Sequence, residues 1–147
     1  MQARDMMEEF PVTGLDADAL EAVQVLAAQR LPGLVVVDEH GRPTAILGAS
    51  QVVRFLVPRY VQDDPSLAAV VNESLADRVA EKLSGVPVRH LLDRERGDLA
   101  VAHADDTVLE LSAAMARLRS PLVAVVEDDR VVGVVTASRL LQLVLPR

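Results

Sequence analysis

The sequence predicts an α/β fold of the α+β kind, built as two tandem βαββα repeats that pack together with pseudo-two-fold symmetry. An internal match carries the prediction. Asp16 to Asp38 aligns with Asp105 to Glu127 at a shift of 89 positions without a gap, and after one deletion the match resumes at a shift of 88. Composition agrees with it. Half of the 147 residues are apolar, yet Phe10, Phe55 and Tyr60 are the only aromatic ones, so the core has to be assembled from Val, Leu, Ala and Ile, the residues of buried strands laid against helices. A chain of this length can bury one full core or support two small subdomains that share one. The duplication selects the second.

The matched pairs are specific. Asp16 and Asp105, Leu20 and Leu109, Arg30 and Arg119, Pro32 and Pro121, and Val36 and Val125 are identical, as are Arg42 and Arg130, and Ser50 and Ser138 beyond the deletion. The start of the chain also repeats in kind: Ala3-Arg4-Asp5-Met6-Met7 resembles Val88-Arg89-His90-Leu91-Leu92, a basic residue, a polar one and an apolar pair. The unit covers about half the chain. The expected organisation is a first repeat over 1–58, a partly helical connecting insertion over 59–85 and a second repeat over 86–147, together forming one compact module.

Each element follows from local signals. A short strand ends near Val12 to Thr13, and its counterpart is expected over Leu99 to Val101. Acidic helix starts follow at Asp16-Ala17-Asp18 and Asp105-Asp106-Thr107, where carboxylates suit the free amides and the helix dipole. Leu20, Val23, Leu26 and Ala27, and likewise Val108, Leu111, Met115 and Leu118, recur at three- and four-residue spacing, which predicts helices with a core face. Pro32 and Pro121 end these segments before the β-branched runs Leu34 to Val37 and Leu122 to Val126. Tight turns at Glu39-His40-Gly41-Arg42 and Asp128-Asp129-Arg130 lead into second strands at Thr44 to Leu47 and Val131 to Val135, with Gly41 supplying a positive φ. A last helix closes each unit, from Ala49 to about Val57 and from Ala137 to about Val144.

Each unit should therefore be a mixed three-stranded sheet with helices on one face, its bare face covered by the other copy. Pro58 to Gly85 repeats nothing; Asp63-Asp64-Pro65 interrupts it, and Leu67 to Leu83 predicts one or two short helices. It reads as a surface excursion between the copies or as an element for docking a partner.

Several function classes are disfavoured. Without cysteine there are no disulfides, thiolate metal sites or cysteine nucleophiles, which fits a reducing, cytoplasmic setting. Met1 to Phe10 has no apolar signal core, and no apolar run approaches the roughly 20 residues of a membrane span, so no direct membrane insertion is expected. The formal charge of −7 opposes binding to a phosphate backbone, so no nucleic-acid partner is expected. His40, His90 and His103 lie in separate segments without metal-ligand spacing, and the seven glycines are dispersed. No nucleophile, base or metal constellation is visible, which predicts a non-catalytic protein.

The ordered set of a basic-polar-apolar-apolar start, an acidic helix cap, a Val-Val-Asp run, a tight turn and a strand ending in Gly-Val-Val-Thr, present twice, resembles the cystathionine β-synthase (CBS) domain pair, or Bateman module. The resemblance covers nearly all of the chain except 58–85. It implies a regulatory or sensor role, a homodimer, and an adenosine-containing ligand (AMP, ADP, ATP or S-adenosylmethionine) in the cleft between repeats, with no cofactor required. It also implies a regulated partner protein, an enzyme or a transporter. In the family the second strand closes with Gly, two apolar residues, Thr or Ser, two variable residues and Asp, the hydroxyl and carboxylate holding a ribose.

The second repeat reads Gly133-Val134-Val135-Thr136-Ala137-Ser138-Arg139, with Arg139 in the carboxylate's place. The first reads Ala45-Ile46-Leu47-Gly48-Ala49-Ser50-Gln51, without the Gly, the Thr or the Asp. Both ribose carboxylates are missing. An arginine cannot accept from a diol, but at a helix start it suits a phosphate or another acidic group. The resemblance thus implies a ligand site drawing on Thr13 and Val101 near the first-strand ends, Val35 and Ala124 in the next strands, and Gly48, Ser50, Gln51, Thr136, Ser138 and Arg139 at the closing helix starts. The other reading is a ligand-free module for dimerisation or for docking on an enzyme or membrane transporter, supported by the lost carboxylates and by the apolar faces Val52, Val53, Leu56 and Leu140, Leu141, Val144.

Overall fold

Two three-stranded sheets form, one per repeat, in the orders β1-β2-β3 and β4-β5-β6. A computed structural model of the chain describes residues 1–57, 59–66, 74–92 and 99–146. In the first repeat β1 (Val12–Gly14) runs parallel to β2 (Gly33–Val37), which pairs antiparallel with β3 (Pro43–Gly48). In the second, β4 (Val101–His103) and β5 (Leu122–Glu127) are parallel, and β5 and β6 (Arg130–Thr136) antiparallel.

The duplication holds residue by residue. Val12 lies opposite Val35 and Val101 opposite Ala124; Val35 faces Ile46 and Ala124 faces Val134. Even the irregularity recurs at the same place, between Val36 and Val37 and between Val125 and Val126. This register corrects one boundary: β4 begins at Val101, where the sequence pattern ended it. The reason lies in the ladder, since Val101 to His103 must pair with Ala124 to Val126 as Val12 to Gly14 pair with Val35 to Val37.

Helices cover one side of each sheet. α2 (Ala19–Ala28) and α6 (Val108–Leu118) lie between the parallel strands, and α3 (Ala49–Leu56) and α7 (Ala137–Val144) close the units. The identical pair Arg30 and Arg119 sits just past the matched helices in the left-handed region, at φ of 53° and 51°, so each chain turns at the same step toward its proline. The hairpins differ. Gly41 takes φ +79° in the first, whereas Asp128 and Asp129 both take positive φ in the second, the two-residue turn that matches strand twist.

Three apolar clusters result. One joins α2 to β2 and β3 through Ala22, Leu26, Val36 and Leu47, and one joins α6 to its sheet through Leu111, Met115, Val123 and Val125. The third, Val35, Leu122, Ala124 and Val134 with Phe10, Ile46 and Val131 against it, contains residues of both sheets and holds the repeats together. That is the bare-face burial the composition required.

The segments ahead of the first strands are exchanged. α1 (Ala3–Met6) belongs in sequence to the first repeat but packs on the second: Ala3 N donates to Asp106 O at 2.8 Å and Arg4 N to Ala104 O at 2.9 Å, with Ala3 and Met6 fully buried in the α6 cluster. The short 3-10 turn Val88–Leu91 makes the matched contacts on the first repeat, Val88 N to Ala17 O at 2.9 Å and Arg89 N to Leu15 O at 3.0 Å. Arg89 also pairs with Asp16. Each repeat is thus completed by a segment that precedes the other.

The connector is partly helical, with α4 (Arg59–Asp63) and α5 (Ser74–Leu83). Residues 58 and 67–73, where the sequence placed its start and part of a helix, lie outside the described residues, as do 93–98. It is more than a surface excursion. Leu83 is buried in the first repeat's core, and Lys82 Nζ donates to Phe55 O at 2.7 Å while lying 5.1 Å from the centre of the Phe55 ring. Among the described residues no helix is long and apolar enough to cross a membrane.

Candidate functional site

The closing helices start in two different ways. At α7, Thr136 is the N-cap; its hydroxyl accepts from Arg139 N at 3.1 Å, and only 8% of the residue is exposed. At α3, Gly48 is the N-cap and has no hydroxyl to offer; its own N–H instead donates to the Gln51 side-chain oxygen at 2.9 Å. A full capping box uses both bonds. Each repeat keeps one of them, which explains locally why Thr136 and Gln51 stand where they do.

Arg139 reaches further than its own helix. Its Nε donates to Met6 O at 3.4 Å, the carbonyl that ends the exchanged segment α1. Just beyond, Glu8 pairs antiparallel with Val134 through two 2.9 Å bonds, and Met7 lies so close to Gly133 that a Cβ there would sit 2.8 Å from the Met7 sulfur. The glycine of the strand-closing motif is therefore needed for a close crossing of the chain. The helix start that carries Thr136 and Arg139 touches the strap between the repeats.

The residues expected to bind a ligand fall into two matched groups. Ser138 and Arg139 line a concavity of about 720 Å3 that runs along α7 past Leu141 and Leu145 to Pro146. Gly48, Ser50 and Gln51 occupy the matched helix start on α3. Val35 and Ala124 are buried in the inter-repeat cluster, so they form the floor between repeats and present no polar group. Val101 is partly exposed, and the residue matched to it is Val12, opposite Val35 as Val101 is opposite Ala124. Thr13 is matched instead to Ala102, which packs with Leu111 and Met115 under α6. Alternation along the strand puts Thr13 on the helix side, and Val12 on the side of the other repeat. Counting the 89-residue shift back from Val101 finds Val12 from the sequence alone.

One carboxylate carries a clear electrostatic effect, and it lies at the far end of the sheet. Asp38 accepts from Arg42 N at 3.0 Å and His40 N at 2.8 Å, and its other oxygen from Arg42 Nε at 3.1 Å. The Arg42 amide foremost, helped by the His40 amide and the Arg42 guanidinium and opposed by partial burial, holds its pKa below the usual carboxylate value.

Two sheets joined face to face, exchanged leading segments and paired helix starts flanking the junction define a tandem-repeat module with a cleft between its halves. A family model for the CBS domain matches residues 3–58 and 88–146. The chain belongs to the CBS domain family and carries the domain as a tandem pair. Among solved structures it is similar to a CBS domain-containing protein of unknown function from Kribbella flavida, at 63% identity over 99% of both chains and a TM-score of 0.88. It resembles the CBS domain of a CBS domain containing membrane protein from Sphaerobacter thermophilus at 22% identity, covering 100% of this chain and 90% of that one, with a TM-score of 0.74. The CBS domain pair of protein MJ0100, in complex with 5′-methylthioadenosine and S-adenosyl-L-methionine, aligns at 22% identity over 97% and 94% of the chains with a TM-score of 0.65. No curated protein sequence matches the chain.

Proposed function

We propose that this CBS pair is a non-catalytic regulatory module of the cytoplasm that binds an adenosine-containing ligand between its repeats and passes occupancy to a partner enzyme or transporter. One observation carries the reading: Thr136 and Arg139 stand together at the start of α7, and Arg139 is held to the exchanged segment by a single bond to Met6 O. Among the described residues the two terminal nitrogens of Arg139 make no hydrogen bond, so their donors are open to an anion. AMP, ADP and ATP bring a phosphate and S-adenosylmethionine a carboxylate. The complex of the MJ0100 pair supports the same ligand class. Because Arg139 touches both α7 and the strap, a bound anion would favour one packing of the repeats over another, which is what a population shift requires.

The module acts as a homodimer through α3 and α7, where Val53 is 58% exposed and Leu141, Val144 and Leu145 are about half exposed. Those faces, with the two missing ribose carboxylates, also favour the second reading, a ligand-free module that docks on an enzyme or membrane transporter. A thermal-shift series against AMP, ADP, ATP and S-adenosylmethionine separates the two. Ligand at about a hundred times its dissociation constant stabilises by roughly 2.7 kcal/mol, several degrees for a domain of this size, and Thr136→Ala and Arg139→Gln should each shrink the shift. No shift with any of the four leaves the docking reading.

A further inference from the structure

A second concavity lies at the opposite end of the sheets, where the two hairpins meet. Val131 N donates to Gly41 O at 3.1 Å, so the turns of the two repeats are tied by one backbone bond. Beside that bond is a cavity of about 370 Å3 lined by Val12, Val37, Glu39, His40, Gly41, Arg130 and Val131. Its volume lies within the roughly 300–1,000 Å3 typical of ligand pockets, room enough for a small organic molecule. Its base is apolar and continuous with the inter-repeat core, against which Val37 and Val131 pack. Val12 leaves 47% of its surface open there, on a β-branched side chain in a strand.

The rim differs between the repeats. In the first hairpin Arg42 is neutralised by Asp38. Glu127 matches Asp38 and Arg130 matches Arg42, and the two are cross-strand partners, but no ion pair forms between them. Among the described residues the Arg130 guanidinium makes no hydrogen bond or ion pair, and it stands at the cavity rim with His40. Glu39 engages His40 at 3.4 Å, and Asp128 and Asp129 line a neighbouring concavity on the other side of Arg130 with His40 and Arg42. One unpaired arginine over a floor of three valines is complementary to a molecule with one anionic end and a short branched apolar body.

We infer that the hairpin cavity is a binding site for a small monocarboxylate, its carboxylate on Arg130 and its hydrocarbon on Val12, Val37 and Val131. The site does not rest on the adenosine reading: Arg130 lies at the turn end of the strands and Thr136 and Arg139 at the other end, with Val12 between them. Since Val12 to Gly41 come from one repeat and Arg130 and Val131 from the other, the acid bridges the two hairpins beside their single hydrogen bond.

The test titrates 4-methylpentanoate, and its neutral amide as control, into the full chain at neutral pH while methyl resonances are followed by NMR. The acid should move the Val12, Val37 and Val131 methyls saturably and leave those of Leu141 and Val144 in place. The amide should bind at least tenfold more weakly. Arg130→Gln should weaken the acid at least tenfold, while Arg42→Gln, whose arginine is already paired, should change it less than threefold. Absence of a saturable shift at 20 mM acid overturns the proposal, as does equal binding of the amide or undiminished binding by the Arg130→Gln variant. Failure of all four adenosine ligands in the thermal-shift series would leave these readouts untouched.

Discussion

At the start of α7 the second repeat caps its helix with the Thr136 hydroxyl, while at the start of α3 the first repeat uses the Gln51 side chain on the Gly48 amide. The hairpins diverge as well: the first closes on Gly41 with Arg42 clamped by Asp38, and the second turns through two left-handed aspartates and leaves Arg130 without an ion pair among the described residues. Between these ends the ladders are the same to the residue. Duplication has therefore preserved what the shared core needs and released what faces solvent or ligand. Core positions are constrained by close packing on both sides, so a change there costs energy in either copy, whereas a cap or a turn has several chemical solutions of similar free energy.

The exchanged segments offer the hardest test of equivalence. Met6 is fully buried under α6 and Leu91 nearly so under α2, so Met6→Ala and Leu91→Ala should each cost about 2–5 kcal/mol by urea denaturation. If Met6→Ala costs less than about 1 kcal/mol, the segment does not complete the second unit in solution. Met7 crosses closely over Gly133, and Ala45 takes the glycine's place in the first repeat. Gly133→Ala should cost about 1–3 kcal/mol through overpacking, and Met7→Ala in the same chain should return part of it. A Gly133→Ala protein as stable as the parent would show that the strap yields freely.

The caps come next. Thr136→Ala should cost about 1 kcal/mol and Gln51→Ala less, since the Thr136 cap is buried and Gln51 is only partly so. Reversal of that order would mean that the first cap, not the second, holds its unit together. The smallest effect concerns Asp38. Its folded pKa lies below its unfolded one, so its contribution is complete above the ordinary carboxylate range and is lost as pH falls through the folded value. The stability difference between the parent and Asp38→Asn should be constant near neutral pH and shrink in acid, with Arg42→Gln showing a partial version. A difference that stays constant down to acid pH would remove the carboxylate from the account.

The sequence alone determined the repeat, the strand order within each repeat, the turns and both closing helices, because each is written in short-range signals: apolar spacing, prolines and turn residues. It also sufficed to place Thr136 and Arg139 at one helix start, and to show that the ribose carboxylates are gone. Only the tertiary structure decided that residues 1–7 complete the second unit, that Met7 presses on Gly133, and that Arg139 reaches Met6. The physical reason is range. Met6 and Arg139 are 133 positions apart, and no local periodicity encodes which of two nearly identical surfaces a short amphipathic segment will cover; that depends on where the folded core leaves its free carbonyls and its gaps.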